Sequence, residues 1–317
     1  MDCLNYPIRV VRFLALYARY RLGLFRFSDL SYADEQEKEA VDSVTRHDAG
    51  KSAIPKVIWM YWDTPAPPEA IMAFYNKMKA INRQHDIILL DRNSLKKYLP
   101  MLHFDHQGIG LAHRCDVIRL ALLKRYGGIW VDCATLVYRD FSWVHQRSGY
   151  DLVGYYSDAS TLEKRFPVIE SWFMAAPPDN PFISRWLTLM MPLTKISAEH
   201  YYRQIKGRPD FARIKQAVPG GSAFISHYLS QLAMRETDGV NLYLKKCESS
   251  AFYYQHVFKG NSLKMSLFLL CIRQPAFHPN LIKLSHSDRQ FLLLARRLRI
   301  LEAESILGKV MLEQQRP

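Results

Sequence analysis

The stretch LAHRCDVIRLALLKRYGGIWVD, residues 111–132, decides the fold. Val117, Ile118, Leu120, Ala121, Leu122 and Leu123 make its first part apolar nearly all round, and a helix of that kind is buried. Gly127-Gly128 stops it, as glycine does just past a helix end. Ile129-Trp130-Val131 then reads as a short buried strand that delivers Asp132 at its carboxyl end. Upstream, Val57-Ile58-Trp59-Met60-Tyr61-Trp62 lies between Pro55 and the prolines 65, 67 and 68, the pattern of a buried strand running into a loop. Ile71, Phe74, Tyr75, Met78 and Ile81 recur at helical spacing over 69–82, and Ile87–Leu90 is a second strand closed by Asp91-Arg92-Asn93. Strand, helix and strand within about 35 residues form a parallel βαβ unit. Thr135–Tyr138, Leu152–Tyr156 and Ser171–Ala175 read as further strands and Pro181–Met191 as a helix, while the pattern beyond 195 blurs. The class is therefore α/β with a mostly parallel sheet. Ligands of such sheets bind outside the carboxyl ends of the strands, where Asp132 and the loop after Trp62 fall.

The rest of the chain bounds the function. Of 317 residues, 49% are hydrophobic and 23% charged, enough to build a core and too apolar for wholesale disorder. A net charge of +13 favours polyanionic partners without choosing among nucleic acid, an anionic membrane and phosphorylated substrates. Cysteines at 3, 115, 133, 247 and 271 form no CxxC pair, which speaks against a zinc site or disulfide scaffold and for a reducing, cytoplasmic setting. No run approaches the roughly 20 apolar residues that span a bilayer. Tyr6–Phe27 mixes Val10, Phe13, Leu14 and Tyr17 with Arg9, Arg12, Arg19, Arg21 and Arg26. It reads either as a basic amphipathic helix on the inner membrane face or as a helix packed on the domain. The expected organisation is that helix and a polar connector over 1–53, the main domain over 54–290, and a C-terminal helix over 291–317.

Three groups can carry chemistry. Asp132, at a strand end aimed by Gly127 and Gly128, suits a divalent cation or a ribose, or simply caps a turn. Asp116 and Arg119 share one face of the buried helix, as a structural ion pair or as contacts to a sugar and its phosphates. Trp59, Tyr61 and Trp62 are able to stack a nucleobase. Alternation sends Trp59 and Tyr61 to one face and Trp62 to the other, so at least one belongs to the core. There is no P-loop, no GxGxxG after a strand, no GxSxG and no HExxH. Basic residues are spread rather than grouped, so no nucleic-acid module is read.

The order Ile54-Pro55-Lys56-Val57-Ile58-Trp59, Asp116-Val117-Ile118-Arg119 and Tyr126-Gly127-Gly128-Ile129-Trp130-Val131-Asp132 resembles the sugar-binding "DXD" glycosyltransferases. Within them it is most similar to the capsular polysaccharide synthesis proteins, related to glycosyltransferase family 32. Glu170–Ala176 and Ile282-Lys283-Leu284-Ser285-His286 resemble later motifs of that group. The resemblance implies a GT-A fold with extra helices at both termini, and an enzyme that moves a hexose from a UDP-sugar to a surface polysaccharide or lipid-linked glycan, with retention. It implies base stacking at Trp59 or its neighbours, sugar contacts from Asp116 and Arg119, and Mn²⁺ or Mg²⁺ with ribose on Asp132. The second aspartate of the motif is missing, because Asp132-Cys133 is followed by Ala134. His286 or Asp288 would then have to complete a metal shell, or Arg and Lys side chains would neutralise the diphosphate. An inverting enzyme would need a base such as Asp158, Glu163 or Glu170. The alternative function is a non-catalytic nucleotide-sugar or glycan-binding subunit of a synthesis complex.

Overall fold

A computed structural model describes residues 6–27, 32, 37, 40–43, 53–105, 108–147 and 149–313. Nine strands are found among them: β1 (Ala40–Ser43), β2 (Val57–Tyr61), β3 (Asp86–Leu90), β4 (Gly128–Val131), β5 (Thr135–Val137), β6 (Leu152–Ser157), β7 (Val168–Ala176), β8 (Leu242–Lys246) and β9 (Leu281–Lys283). The main sheet has the order β1-β8-β6-β7-β4-β2-β3, and β5 pairs with β9 in a separate ribbon. Strand β2 runs parallel to β3 and to β4, joined to β3 by the helix Glu69–Ile81, so the βαβ unit stands as read. Strand β7 then reverses direction between β4 and β6, and β1 reverses again beside β8. The remaining strands, β2, β3, β4, β6 and β8, all point one way. The structure is α/β, as the sequence predicts.

Each face of the sheet carries its own apolar layer. Ile58, Met60, Ile129 and Val131 belong to one, Trp59, Tyr61, Trp130 and the helix Leu111–Tyr126 to the other, the strict alternation that a strand imposes. The second layer holds Val117, Ile118, Leu120, Leu122 and Leu123 with no exposure at all. Gly127 and Gly128 turn the chain from helix to strand at φ 62° and 97°. A methyl group at Gly128 would sit 2.5 Å from Val57 Cγ1 and one at Gly127 2.7 Å from Pro178, so both the dihedral and the space demand glycine. The turn thus fixes where β4 begins and where Asp132 emerges.

Two expectations about the ends of the chain are corrected. Part of the segment read as a connector is a strand: Ala40–Ser43 extends the sheet along β8. Strand β8 itself lies in the region whose pattern blurs. The expected helix over 291–317 is two helices, Leu292–Arg297 and Ile306–Glu313, and 314–317 lie outside the described residues. The helix Tyr6–Arg21 packs on the domain: Phe13 is fully buried and stacks on Phe291 at 4.5 Å, and Arg9 donates to Ser262 at 2.8 Å. Ile8, Val11, Leu22 and Leu24, on that helix and just beyond it, remain exposed. No helix among the described residues is long and apolar enough to cross a membrane.

Candidate donor site

A cavity of about 380 Å³ opens at the carboxyl ends of β2 and β4. Its floor is built by the helix Leu111–Tyr126 and the strand ends, which bring Asp116, Arg119, Asp132, Tyr61 and Trp62 to one place. Strand β7 adds Glu170, Ser171 and Trp172, and β9 adds Lys283.

The charged groups form a chain of alternating sign. Arg119 Nη1 lies 2.8 Å from Asp116 Oδ1, and its Nη2 lies 3.2 Å from Asp132 Oδ1. Arg119 also donates to Ser171 Oγ and lies 5.2 Å from the centre of the Trp130 ring. Lys283 Nζ takes the other Asp132 oxygen, Oδ2, at 2.9 Å, and the Trp130 indole N–H donates to Oδ1 at 3.0 Å. Burial alone would push the Asp132 carboxyl up. Lys283 and Arg119 outweigh it and hold the group below the usual carboxylate range. Burial likewise disfavours the Arg119 cation, and Asp116 and Asp132 reverse that.

Glu170 differs from these. Among the described residues its carboxylate has no hydrogen-bond or ion-pair partner. Burial, and then the Glu248 carboxylate, push it up to about 7. The other two carboxylates considered as bases are engaged elsewhere. Asp158 is held by Lys246 at 3.3 Å and by Lys164, and Glu163 by Arg235 at 2.7 Å and Arg213 at 3.0 Å. Neither lines the cavity. Cys115 does line it, but burial raises its thiol to about 12, so it is no thiolate nucleophile near neutral pH.

The three aromatics divide. Trp59 is 2% exposed; its indole donates to the Gly127 carbonyl at 2.9 Å, and Tyr98 and Tyr126 pack against its ring. It is mid-strand and braces the glycine turn, so no base reaches it. Tyr61 and Trp62, at the strand's end, both line the cavity, with Trp172 and Phe252 on its other wall. Tyr61 donates to Asp63 at 2.7 Å, and Asp63 in turn binds Arg92.

The donor set for a divalent cation does not match the residues present. Ala134 stands where a second carboxylate is needed, and both Asp132 oxygens face cations. His286 is exposed, and Asp288 closes a capping box with Ser285, its carboxylate accepting from the Ser285 N–H at 2.7 Å; neither lines the cavity. Among the described residues no three His, Cys, Asp or Glu are grouped to hold a metal ion.

Lys283 is the site residue that sequence reasoning missed. Its block was noticed, but its neighbour was not, because Thr135 pairs with Lys283 only through the β5–β9 register. Glu170 was noticed as one carboxylate of three. What singles it out is that no side chain among the described residues pairs with it directly, while Lys283 and Arg119 act on it only from beyond ion-pair distance.

The chain is 27% identical over 181 residues to the O-glycosyltransferase braB of Annulohypoxylon truncatum, an alignment covering 49% of this chain and 42% of that one. The chain thus matches less than half the length of that relative. Among solved structures it resembles the apo glycosyltransferase GlyE of Streptococcus pneumoniae TIGR4, with 11% identity, 82% of this chain and 63% of that one covered, and a TM-score of 0.38. It also resembles the UDP-bound glycosyltransferase domain of the YGT toxin, with 9% identity, 84% and 95% covered, and a TM-score of 0.37. The family model for capsular polysaccharide synthesis proteins matches residues 30–202, more than half of the 317, and the chain belongs to that family.

Proposed function

We propose that the protein is a glycosyltransferase of the GT-A type that moves a hexose from a nucleotide-diphosphate donor, a UDP-sugar first among them, to a surface polysaccharide or lipid-linked glycan. The observation that carries this reading is the cavity itself. It joins a carboxylate and a guanidinium 2.8 Å apart, two cations fit for a diphosphate, aromatic walls fit for a base, and one carboxylate with no ion-pair partner among the described residues. Membership of the family and the similarity to an O-glycosyltransferase support it.

In this reading the diphosphate lies against Arg119 and Lys283, and the base stacks on Tyr61 or Trp62. Asp116 and Asp132 accept from sugar or ribose hydroxyls while holding Arg119 between them. The acceptor oxygen bonds to the anomeric carbon as the bond to the diphosphate oxygen breaks, and the electron pair leaves with the diphosphate. The family resemblance predicts retention. The acceptor proton then passes to the departing diphosphate, and ionised Glu170 faces the positive charge that builds on the sugar ring. In an inverting transfer Glu170 would take that proton itself. The anomeric configuration of the first-formed product, read by NMR, separates the two.

A thermal-shift panel of nucleotide sugars tests the donor. The expected result is a rise in Tm with one base and sugar, and turnover of that compound to the free nucleoside diphosphate. Tight binding without turnover by any acceptor or water would point instead to a non-catalytic binding subunit. Peripheral membrane contact is assigned to the exposed Ile8, Val11, Leu22 and Leu24, with Arg12, Arg19 and Arg21 on the helix Tyr6–Arg21. Co-sedimentation with anionic vesicles that is lost in Val11→Glu/Leu22→Glu checks it, and equal retention of both proteins would refute it.

A further inference from the structure

We propose that Lys283 does at this site the work a divalent cation does in related ones: held on Asp132, its ammonium acts with Arg119 to neutralise the donor diphosphate without a bound metal. The inference rests on the donor reading above and adds the means by which the leaving group is stabilised.

Four observations carry it. The first is position. Asp132, the carboxylate expected to bind a metal, has its Oδ2 occupied by Lys283 Nζ at 2.9 Å and its Oδ1 faced by Arg119 Nη2 at 3.2 Å. A cation approaching Asp132 would meet two positive groups already in place. The second is the missing ligand. Ala134 lines the cavity in place of a second carboxylate, and Asp116 is committed to Arg119 at 2.8 Å. The third is anchoring. Lys283 is no wandering surface lysine. Its backbone is fixed opposite Thr135, its N–H donates to Ala251 at 3.1 Å, and the next residue, Leu284, donates to Ala134 at 2.9 Å. The backbone of Ala134 thus helps to place the lysine. The fourth is valence. An ammonium has three N–H donors, and Asp132 takes one in this structure, leaving two for phosphate oxygens.

Charge balance agrees. As the bond from the anomeric carbon to the diphosphate breaks, negative charge gathers on the leaving oxygen. Fixed cations already present stabilise it with no rearrangement at the moment of reaction. Asp132 is then a positioning residue: it orients Lys283 and Arg119 rather than supplying the charge itself.

Titration calorimetry of UDP into the full chain tests this, once in EDTA and once in excess MnCl₂. Wild-type protein is expected to bind with affinities within about threefold in the two media. Lys283→Ala is expected to bind at least about tenfold more weakly in EDTA, the scale of removing one member of a buried charge contact. Lys283→Arg, which keeps the charge, is expected to recover most of that loss. The wild-type comparison needs no variant to fold. If Mn²⁺ tightens wild-type binding more than about tenfold, or if Lys283→Ala binds as wild type does, the inference is overturned while the donor reading stands. If UDP, GDP, ADP, CDP and dTDP all fail to bind in both media, the donor reading falls and takes the inference with it.

Discussion

Glu170→Gln is expected to lower the transfer rate by about 10²- to 10⁴-fold with the protein still folded, the range by which a positioned acid–base or charge-stabilising group contributes. The substitution keeps the shape and removes only the charge. The carboxylate has no hydrogen-bond or ion-pair partner among the described residues, so no direct partner is orphaned by its loss. The same group sets the pH profile. Its folded pKa is raised from 4.5 to about 7 by burial and by Glu248, and both roles open to it need the ionised form. Activity should therefore rise with pH up to about 7 and level off above it, and the Gln variant should lack that limb. Stability runs the other way. Because the folded state holds the proton more tightly, Glu170 contributes its stability below pH 4.5 and loses it as pH rises through about 7. Urea unfolding of the variant between those limits should show a flatter profile than wild type. A Glu170→Gln enzyme with wild-type turnover and an unchanged pH–rate limb would end the assignment.

Arg119→Met is expected to cost about 3 kcal/mol of stability or more, the usual consequence of removing one partner from a buried ion pair. The guanidinium is 6% exposed and stands between two carboxylates. Methionine fills much of the volume, so the loss would come from charge rather than from a cavity. Among the described residues, the Asp116 carboxylate would keep only a 3.4 Å contact from Ser171, and that of Asp132 only Lys283 and the Trp130 indole. Urea denaturation measures it directly, and an unchanged midpoint would contradict the geometry. Donor binding should fall as well, since one of the two cations in the cavity is gone.

How far the sequence reached differs between strands and site. Strands β2, β3 and β4 and the helix Leu111–Tyr126 were legible because each is an apolar run bounded by a local turn signal: prolines around β2, Asp91-Arg92-Asn93 after β3, and Gly127-Gly128 between the helix and β4. Strand β8 was not: Leu242–Lys246 carries two lysines and a half-buried tyrosine, and its place in the sheet comes from its neighbours β6 and β1. Asp116, Arg119 and Asp132 were found together because two lie on one helix and the third ends the next strand. Trp59 was misplaced for lack of depth: spacing gives the face of a strand, not how far along it the cavity begins. His286 and Asp288 were close to Lys283 in sequence, but the strand ends at Lys283, and the chain turns into a capped helical turn that carries both away from the cavity.

The ribbon of β5 and β9 makes the site a late product of the chain's synthesis. Asp132 and Lys283 are 151 positions apart, and a ribosome releases the first long before the second exists. The early sheet of β2, β3 and β4 can assemble on the emerging chain with Asp132 faced by Arg119 alone. Only when β9 closes does the Asp132–Lys283 pair form, so a nascent or truncated polypeptide lacking β9 would lack one of the two cations that line the cavity. In the proposed reading, donor capture would wait for β9 to pair with β5.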